Sequence, residues 1–263
     1  MTTGQLSKTL KGYARTTLNN NYTLPVISYL FISLVYSTVS YPFEIYFQRT
    51  VQLPLLSKEG SQVSLFSLVV YFAAMLFLAF LAMLLQVGLC KILLNLSRKD
   101  EFQFQLLFYA FSHHPDKYIL VALYLMAMSF FAMLPCIVCF LCLFVFQARS
   151  LFPFFIFLTV TTALLGSIYI IRLSLGCSLT QYLLLDFPEL SVTHALSESR
   201  RLMEGNIGTL FYLHCSFFGI LFLSVLTFGI SLLWTVPYIT MTYIYFYRHL
   251  TREIQINVYD SYD

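Results

Sequence analysis

Apolar positions in this chain come in long unbroken runs separated by short polar stretches, and the run lengths set the elements. Runs at about residues 22–47, 63–94, 118–146, 151–185, 207–228 and 230–247 approach or exceed the about 20 apolar residues that an α-helix needs to cross a bilayer core. Spans of a membrane β-barrel would alternate over about ten residues, and these runs do not alternate. The second run covers about 30 residues, so at about 1.5 Å per residue it outruns the hydrocarbon and should tilt or project beyond it. The pattern predicts an all-α membrane protein with six transmembrane helices as three hairpins, each preceded by an amphipathic interfacial helix.

Between the runs the spacing of apolar positions becomes helical with one wet face. In residues 1–21, Leu6, Leu10, Tyr13, Ala14, Thr17 and Leu18 share one side, with Lys8, Lys11 and Arg15 opposite. This is the pattern of a basic amphipathic helix on an anionic surface. Residues 95–117 form a charged cytoplasmic segment, whose aromatic middle, 102–111, offers a second surface-lying helix. Residues 186–205 give the third. Asp186-Phe187-Pro188-Glu189 has the acidic cap and early proline of a helix start. Val192, Ala195, Leu196, Ser199 and Met203 line one side, with His194, Glu198, Arg201 and Glu204 opposite. Gly205 suits the end of that helix and Asn206 the cap of the next. The resulting divisions are 1–21, a first hairpin 22–94, the segment 95–117, a second hairpin 118–185, the helix 186–205, a third hairpin 206–249 and a tail 250–263.

Finer features follow. Arg15-x-x-Leu18-x-x-Asn21 before the first span matches Arg200-x-x-Met203-x-x-Asn206 before the fifth, suggesting a repeated unit of surface helix plus hairpin. The uncharged Thr227-Phe228-Gly229 is short enough to force a tight hairpin. Pro135 and Pro237 should bend the third and sixth spans. Glycines at 166, 176, 205, 208 and 219 allow close helix contacts. Tyr41, Tyr46, Tyr118, Tyr238, Tyr243, Tyr245 and Tyr247 fall near span ends, where aromatic belts form.

Composition sharpens the class. Hydrophobic residues make up 59% of the chain and charged residues 10%, against roughly 25% charged in soluble domains. The net charge of +3 matters less than its placement. With the N-terminus inside, twelve Lys/Arg fall on the inner face and only Arg49, Lys58 and Arg149 on the outer, which places both termini in the cytoplasm. The first 21 residues lack the apolar core of a cleavable signal peptide, so the first span is expected to act as a retained anchor. The six cysteines, at 90, 136, 139, 142, 177 and 215, sit in or beside apolar runs, unlike a disulfide framework.

The second half resembles a bacterial integral-membrane family, the domain of unknown function numbered 975. Tyr182-Leu-Leu-Leu-Asp186-Phe-Pro-Glu-Leu190 and Ala195-Leu-Ser-Glu-Ser-Arg-Arg-Leu-Met-Glu-Gly205-Asn206 carry the likeness. So do Ser216-Phe-Phe-Gly219, Leu226-Thr-Phe-Gly-Ile230, Trp234-Thr-Val-Pro-Tyr238 and Phe246-Tyr247-Arg248. The basic segment before Tyr22 fits less tightly, and Ser112-His-His-Pro-Asp116 departs from the expected turn. The resemblance implies a multi-pass protein of the bacterial cytoplasmic membrane and brings no activity.

Candidate chemistry is sparse. Ionisable or polar groups inside apolar runs are ligand-site candidates by default, which singles out Arg172, His214, Glu44 and Gln86. Snorkelling is the favoured reading of Arg172, a neutral histidine bonded to a neighbouring helix that of His214, and interfacial solvation that of Glu44. Lys8, Lys11, Arg15, Arg200 and Arg201 are candidates for lipid or partner contact. His113, His114 and Asp116 include metal-type ligands, but adjacent histidines point apart, and Cys136-x-x-Cys139-x-x-Cys142 lacks a fourth ligand. No nucleotide, zinc-protease or nucleophile-elbow motif occurs. No catalytic site, metal or cofactor is expected, nor any nucleic-acid partner; membrane lipids and other membrane proteins are the expected contacts. Three readings follow: a non-enzymatic scaffold or accessory protein, a transporter component for a small hydrophobic or amphipathic solute, and an enzyme acting on lipid. The transporter reading requires a polar mid-membrane cavity reaching Arg172.

Overall fold

The computed structural model describes residues 2–19, 21–52, 65–145 and 152–254. Loop residues 53–64 with Lys58, the start of the second span at 63–64, Arg149 and tail residues 255–263 lie outside them. Every regular element among the described residues is helical. In chain order these are α1 (Thr3–Asn19), α2 (Thr23–Phe47) running into a π-helical turn (Gln48–Gln52), and α3 (Leu65–Arg98). A 3-10 turn (Phe104–Phe108), α4 (Tyr109–Ser112), α5 (Pro115–Val145), α6 (Phe152–Gly176) and α7 (Thr180–Asp186) come next. The last four are α8 (Val192–Met203), α9 (Ile207–Cys215), α10 (Phe218–Leu226) and α11 (Leu232–Leu250).

Among the described residues five stretches are long and apolar enough to cross a membrane: Thr23–Thr50, Leu65–Arg98, Pro115–Cys142, Pro153–Asp186 and Ile207–Leu226. Their exposed surface is rich in large apolar side chains such as Phe66, Phe77, Phe131, Phe157 and Leu165, as suits a membrane-spanning helix. The sixth expected span forms α11 but is not among the five. Its sequence is heavy in Thr and Tyr, and Thr240–Thr242 and Ile244–Tyr247 are buried in protein. A helix wrapped by other helices does not need the apolar surface that hydropathy measures.

The described residues form two compact units, one of residues 8–115 with 217 onward, the other of residues 2–7 with 116–216. In the first unit α2 lies against α3, and α11 touches both. The 3-10 turn and α4 also dock on α3. Gly88 makes that docking possible, because a Cβ there would sit 1.9 Å from the Leu107 carbonyl oxygen. The expected surface helix over 102–111 is therefore a broken segment with Leu107 and Ala110 fully buried. α1 is helical as expected, but its apolar stripe, Leu10, Ala14 and Leu18, is packed in protein rather than laid on lipid. In the second unit α6 contacts α8 and α9, and α7 contacts α8. α5 and α6 approach closely at Gly166, where a Cβ would lie 2.9 Å from the Ala132 carbonyl oxygen.

Several boundaries move. The fourth and fifth runs each break, after Gly176 and at Ser216-Phe217. The amphipathic helix starts at Val192 rather than Asp186; its cap is Ser191, whose hydroxyl accepts the His194 amide at 3.4 Å. Asp186 instead ends α7. A proline at 188 fits the extended link between the two because it disfavours helical geometry before it. Gly205 ends α8 at φ +79° as expected. Asn206 caps nothing forward and donates its amide back to the Leu202 carbonyl. α5 and α11 run unbroken through Pro135 and Pro237.

The repeat survives in burial. Leu10, Ala14, Leu18, Pro25, Ser28 and Ile32 are all buried, and so are Ala195, Ser199, Met203, Leu210, Leu213 and Phe217, each 185 positions later. At both helix breaks an asparagine amide bonds back three residues, Asn21 to Leu18 and Asn206 to Met203.

Candidate functional site

Polar side chains gather where α1, α3 and α11 meet in the first unit. α3 ends in a paired-bond turn: the Lys99 amide donates to the Leu96 carbonyl and the Asp100 amide to that of Asn95. α11 ends the same way, with Arg252 bonded to His249 and Glu253 to Arg248. This turn needs a residue at positive φ, a place glycine fills cheaply. Here Lys99 (φ +63°) and Arg252 (φ +60°) occupy it. Glu253 then links the two helix ends. It accepts both Arg98 Nε at 3.2 Å and Nη2 at 2.6 Å, and Arg248 Nε at 3.1 Å. Arg248 also donates to the Ser97 carbonyl at 2.6 Å and lies over the Tyr245 ring. The hydroxyls of Thr17 and Tyr245 meet at 2.6 Å, fixing α1 to α11. A cavity of about 430 Å³ opens beside them, lined by Thr16, Thr17, Asn21, Leu96, Ser97, Lys99, Asp100, Phe102 and Tyr245.

The second unit has its own anchor on α8. The Ser199 hydroxyl, fully buried, donates to the Gly176 carbonyl at 2.8 Å and so satisfies the broken end of α6. Arg200 donates to the Tyr124 hydroxyl at 2.5 Å. Hydrogen bonds to the Cys177 thiol and to Tyr124 hold its guanidinium above its ordinary pKa. Arg201 is exposed and pairs with Glu198, one turn back on α8. Lys117 donates to the carbonyls of Pro188 and, at 3.1 Å, Leu190, holding the link between α7 and α8.

The structure divides the residues singled out in the sequence. Lys8, Arg15 and Arg201 are exposed. Lys11 is half-buried, with Nζ 4.3 Å from the Phe217 ring centre. Burial lowers its pKa. Arg200 is exposed, while its guanidinium donates to the Tyr124 hydroxyl. Arg172 sits on an exposed face one turn before α6 ends. The cavity of about 370 Å³ beside α5 and α6 is lined by Met128, Phe131, Ala132, Leu165, Gly166 and Tyr169 and stops short of Arg172. His214 Nδ1 lies 2.9 Å from the carbonyl oxygen of Leu210, one turn back on its own helix. Glu44 is exposed and Gln86 half-buried. His113 stacks on Tyr109, and His114 takes φ +53°. Among the described residues no three His, Cys, Asp or Glu side chains are placed to share a metal ion. Tyr118, Tyr245 and Tyr247 are buried core residues rather than members of an aromatic belt.

Sequence reasoning missed Gly88, Lys117, Tyr124 and Glu253. Gly88 carried a signal, since an isolated glycine inside a helical run implies a close approach. The other three are brought to their partners only by tertiary structure.

Helices with a lipid-facing apolar surface, stapled by polar contacts at their ends, define a helical integral membrane protein. The chain belongs to the family described as protein of unknown function (DUF975), whose model matches residues 1–253. No curated protein and no solved structure matches it.

Proposed function

We propose that the protein is a non-enzymatic scaffold or accessory protein of the bacterial cytoplasmic membrane that holds anionic lipid, and through it partner membrane proteins, on cationic helix faces. The observation carrying this reading is the state of α1 and α8. Both bury their apolar stripes, and Lys8 and Arg15 on α1 and Arg201 on α8 remain exposed. A helix already satisfied by protein does not need to insert, so its exposed face is left for headgroups. Each basic side chain near an anionic leaflet contributes about 1 kcal/mol. The excess of Lys/Arg on one side of the spans supports an orientation with both termini in the cytoplasm. α11, 19 residues long, is about 28 Å at the helical rise and serves as the sixth, internally packed span.

The transporter reading has less support, because the cavity beside α5 and α6 does not reach Arg172. The test is charge reversal, Lys8→Glu with Arg15→Glu, in nanodiscs containing phosphatidylglycerol and phosphatidylcholine. Native mass spectrometry should show phosphatidylglycerol retention falling severalfold while phosphatidylcholine retention holds. Unchanged phosphatidylglycerol retention would overturn the reading.

A further inference from the structure

The cavity at the ends of α1, α3 and α11 has a lining that the scaffold reading leaves unused. It brings one cation, Lys99, and one anion, Asp100, together with the hydroxyls of Thr16, Thr17, Ser97 and Tyr245 and the amide of Asn21. Leu96 and Phe102 give it an apolar wall. The two nearby guanidiniums are committed elsewhere, since Arg98 and Arg248 both pair with Glu253. Lys99 is thus the cation this lining offers.

We propose that the cavity is a headgroup site for a zwitterionic phospholipid of the ethanolamine type, its phosphodiester held by Lys99 and the side-chain amide of Asn21 and its ammonium by Asp100. The hydroxyls are committed, since those of Thr16 and Ser97 donate to backbone carbonyls and those of Thr17 and Tyr245 bond each other. The proposal rests on the reading that this end of the protein engages lipid, and adds which lipid and where. A glycerol headgroup offers Asp100 only neutral hydroxyls and a choline headgroup only charge without a hydrogen-bond donor, whereas a primary ammonium offers both, as a charge-assisted hydrogen bond. A phosphate and a primary ammonium joined by two carbons match the two adjacent side chains. The volume of about 430 Å³ falls within the range of small-molecule sites, about 300–1,000 Å³. The apolar wall suits the glycerol and first acyl carbons and separates a lipid from a soluble phosphate compound.

The backbone supplies an independent argument. Lys99 holds φ +63°, where a non-glycine residue is uncommon and carries strain of roughly 1–2 kcal/mol. Glycine would relieve that strain, so a lysine there points to a use for its side chain. The same fact gives a clean variant, because Lys99→Gly removes the cation while suiting the turn.

The experiment uses the full protein in dodecyl maltoside and reads binding of dihexanoyl-phosphatidylethanolamine, -phosphatidylglycerol and -phosphatidylcholine, with phosphoethanolamine as the soluble probe. Wild type should bind phosphatidylethanolamine about tenfold more tightly than either other lipid, and Lys99→Gly should lose about tenfold while its melting temperature holds or rises. Asp100→Asn should abolish the preference over phosphatidylglycerol. Equal binding of the three lipids, or unchanged affinity in both variants, would overturn the proposal. So would phosphoethanolamine binding as tightly as the lipid, which would make this a soluble-ligand site. Retention of phosphatidylglycerol in the Lys8→Glu, Arg15→Glu protein tests the scaffold reading separately, because neither residue lines the cavity.

Discussion

Replacing Gly88 with alanine tests how the first unit is held together. The added methyl would start 1.9 Å from the Leu107 carbonyl oxygen, 2.5 Å from its carbonyl carbon and 2.8 Å from its Cα. All three are backbone atoms, so no rotamer change relieves the clash. The segment 104–112 must lift away from α3 by more than an ångström, which uncovers Leu107 and Ala110, both fully buried. Losing the burial of one leucine costs about 1.5–3 kcal/mol. Alanine returns about 1 kcal/mol as a better helix former than glycine. The net expectation is a loss of about 1–2 kcal/mol, seen as a fall of several degrees in the melting temperature of the detergent-solubilised protein. Gly208→Ala is the matched control. No atom lies within 4 Å of a Cβ there, so only the helix-propensity gain of about 1 kcal/mol remains and the protein should melt at or above the wild-type temperature. A Gly88→Ala protein as stable as wild type, with Gly208→Ala behaving alike, would refute the docking described for α3.

Other predictions follow from the polar contacts. Glu253→Gln weakens the link between α3 and α11; because the pairs are a quarter or so exposed, the expected cost is only about 1 kcal/mol, measured by thermal unfolding. Ser199→Ala leaves the Gly176 carbonyl without its buried donor and should cost about 1–3 kcal/mol, whereas Ser197→Ala on the exposed face of α8 should cost little. His249, two residues past the apolar run 230–247, has its pKa lowered by burial, against the smaller raising effect of a hydrogen bond to the Ile254 backbone, and its Nδ1 is buried without a hydrogen bond. Its neutral form is the folded form, so the unfolded chain takes up a proton first. The stability contribution is full above about pH 6.5 and declines as the pH falls from there toward the folded-state pKa. A melting temperature that falls between pH 7 and 5, less steeply in His249→Gln, is the expected result; parallel curves would contradict it.

How far the sequence reached depended on whether a feature is local. The apolar runs gave five membrane-length helices because length and hydropathy are properties of a segment by itself. α11 escaped that measure because its Thr and Tyr side chains face protein, and burial by neighbours cannot be seen from one segment. The stripe Leu10, Ala14, Leu18 was legible as a helix face, but whether lipid or protein would cover it was not. Lys11 and Arg200 show the same limit: their spacing marked them as basic residues near a surface, but not that Lys11 would lie against the Phe217 ring or that Arg200 would bond Tyr124 and Cys177. Caps were misplaced where two signals competed. Asp186-Phe187-Pro188-Glu189 has the residues of a helix start, yet α7 runs on to Asp186 and Ser191 holds the cap. The repeat was visible in only three residues per copy and became clear once burial could be compared over six.

The most direct measurement is the lipid composition retained by the wild-type protein released from nanodiscs of equal phosphatidylglycerol and phosphatidylcholine, read by native mass spectrometry. The account predicts retained phosphatidylglycerol in clear excess over phosphatidylcholine, decreasing as ionic strength rises because the exposed lysine and arginine contacts are screened. Retention of the two lipids in their bulk ratio, unaffected by salt, would contradict it.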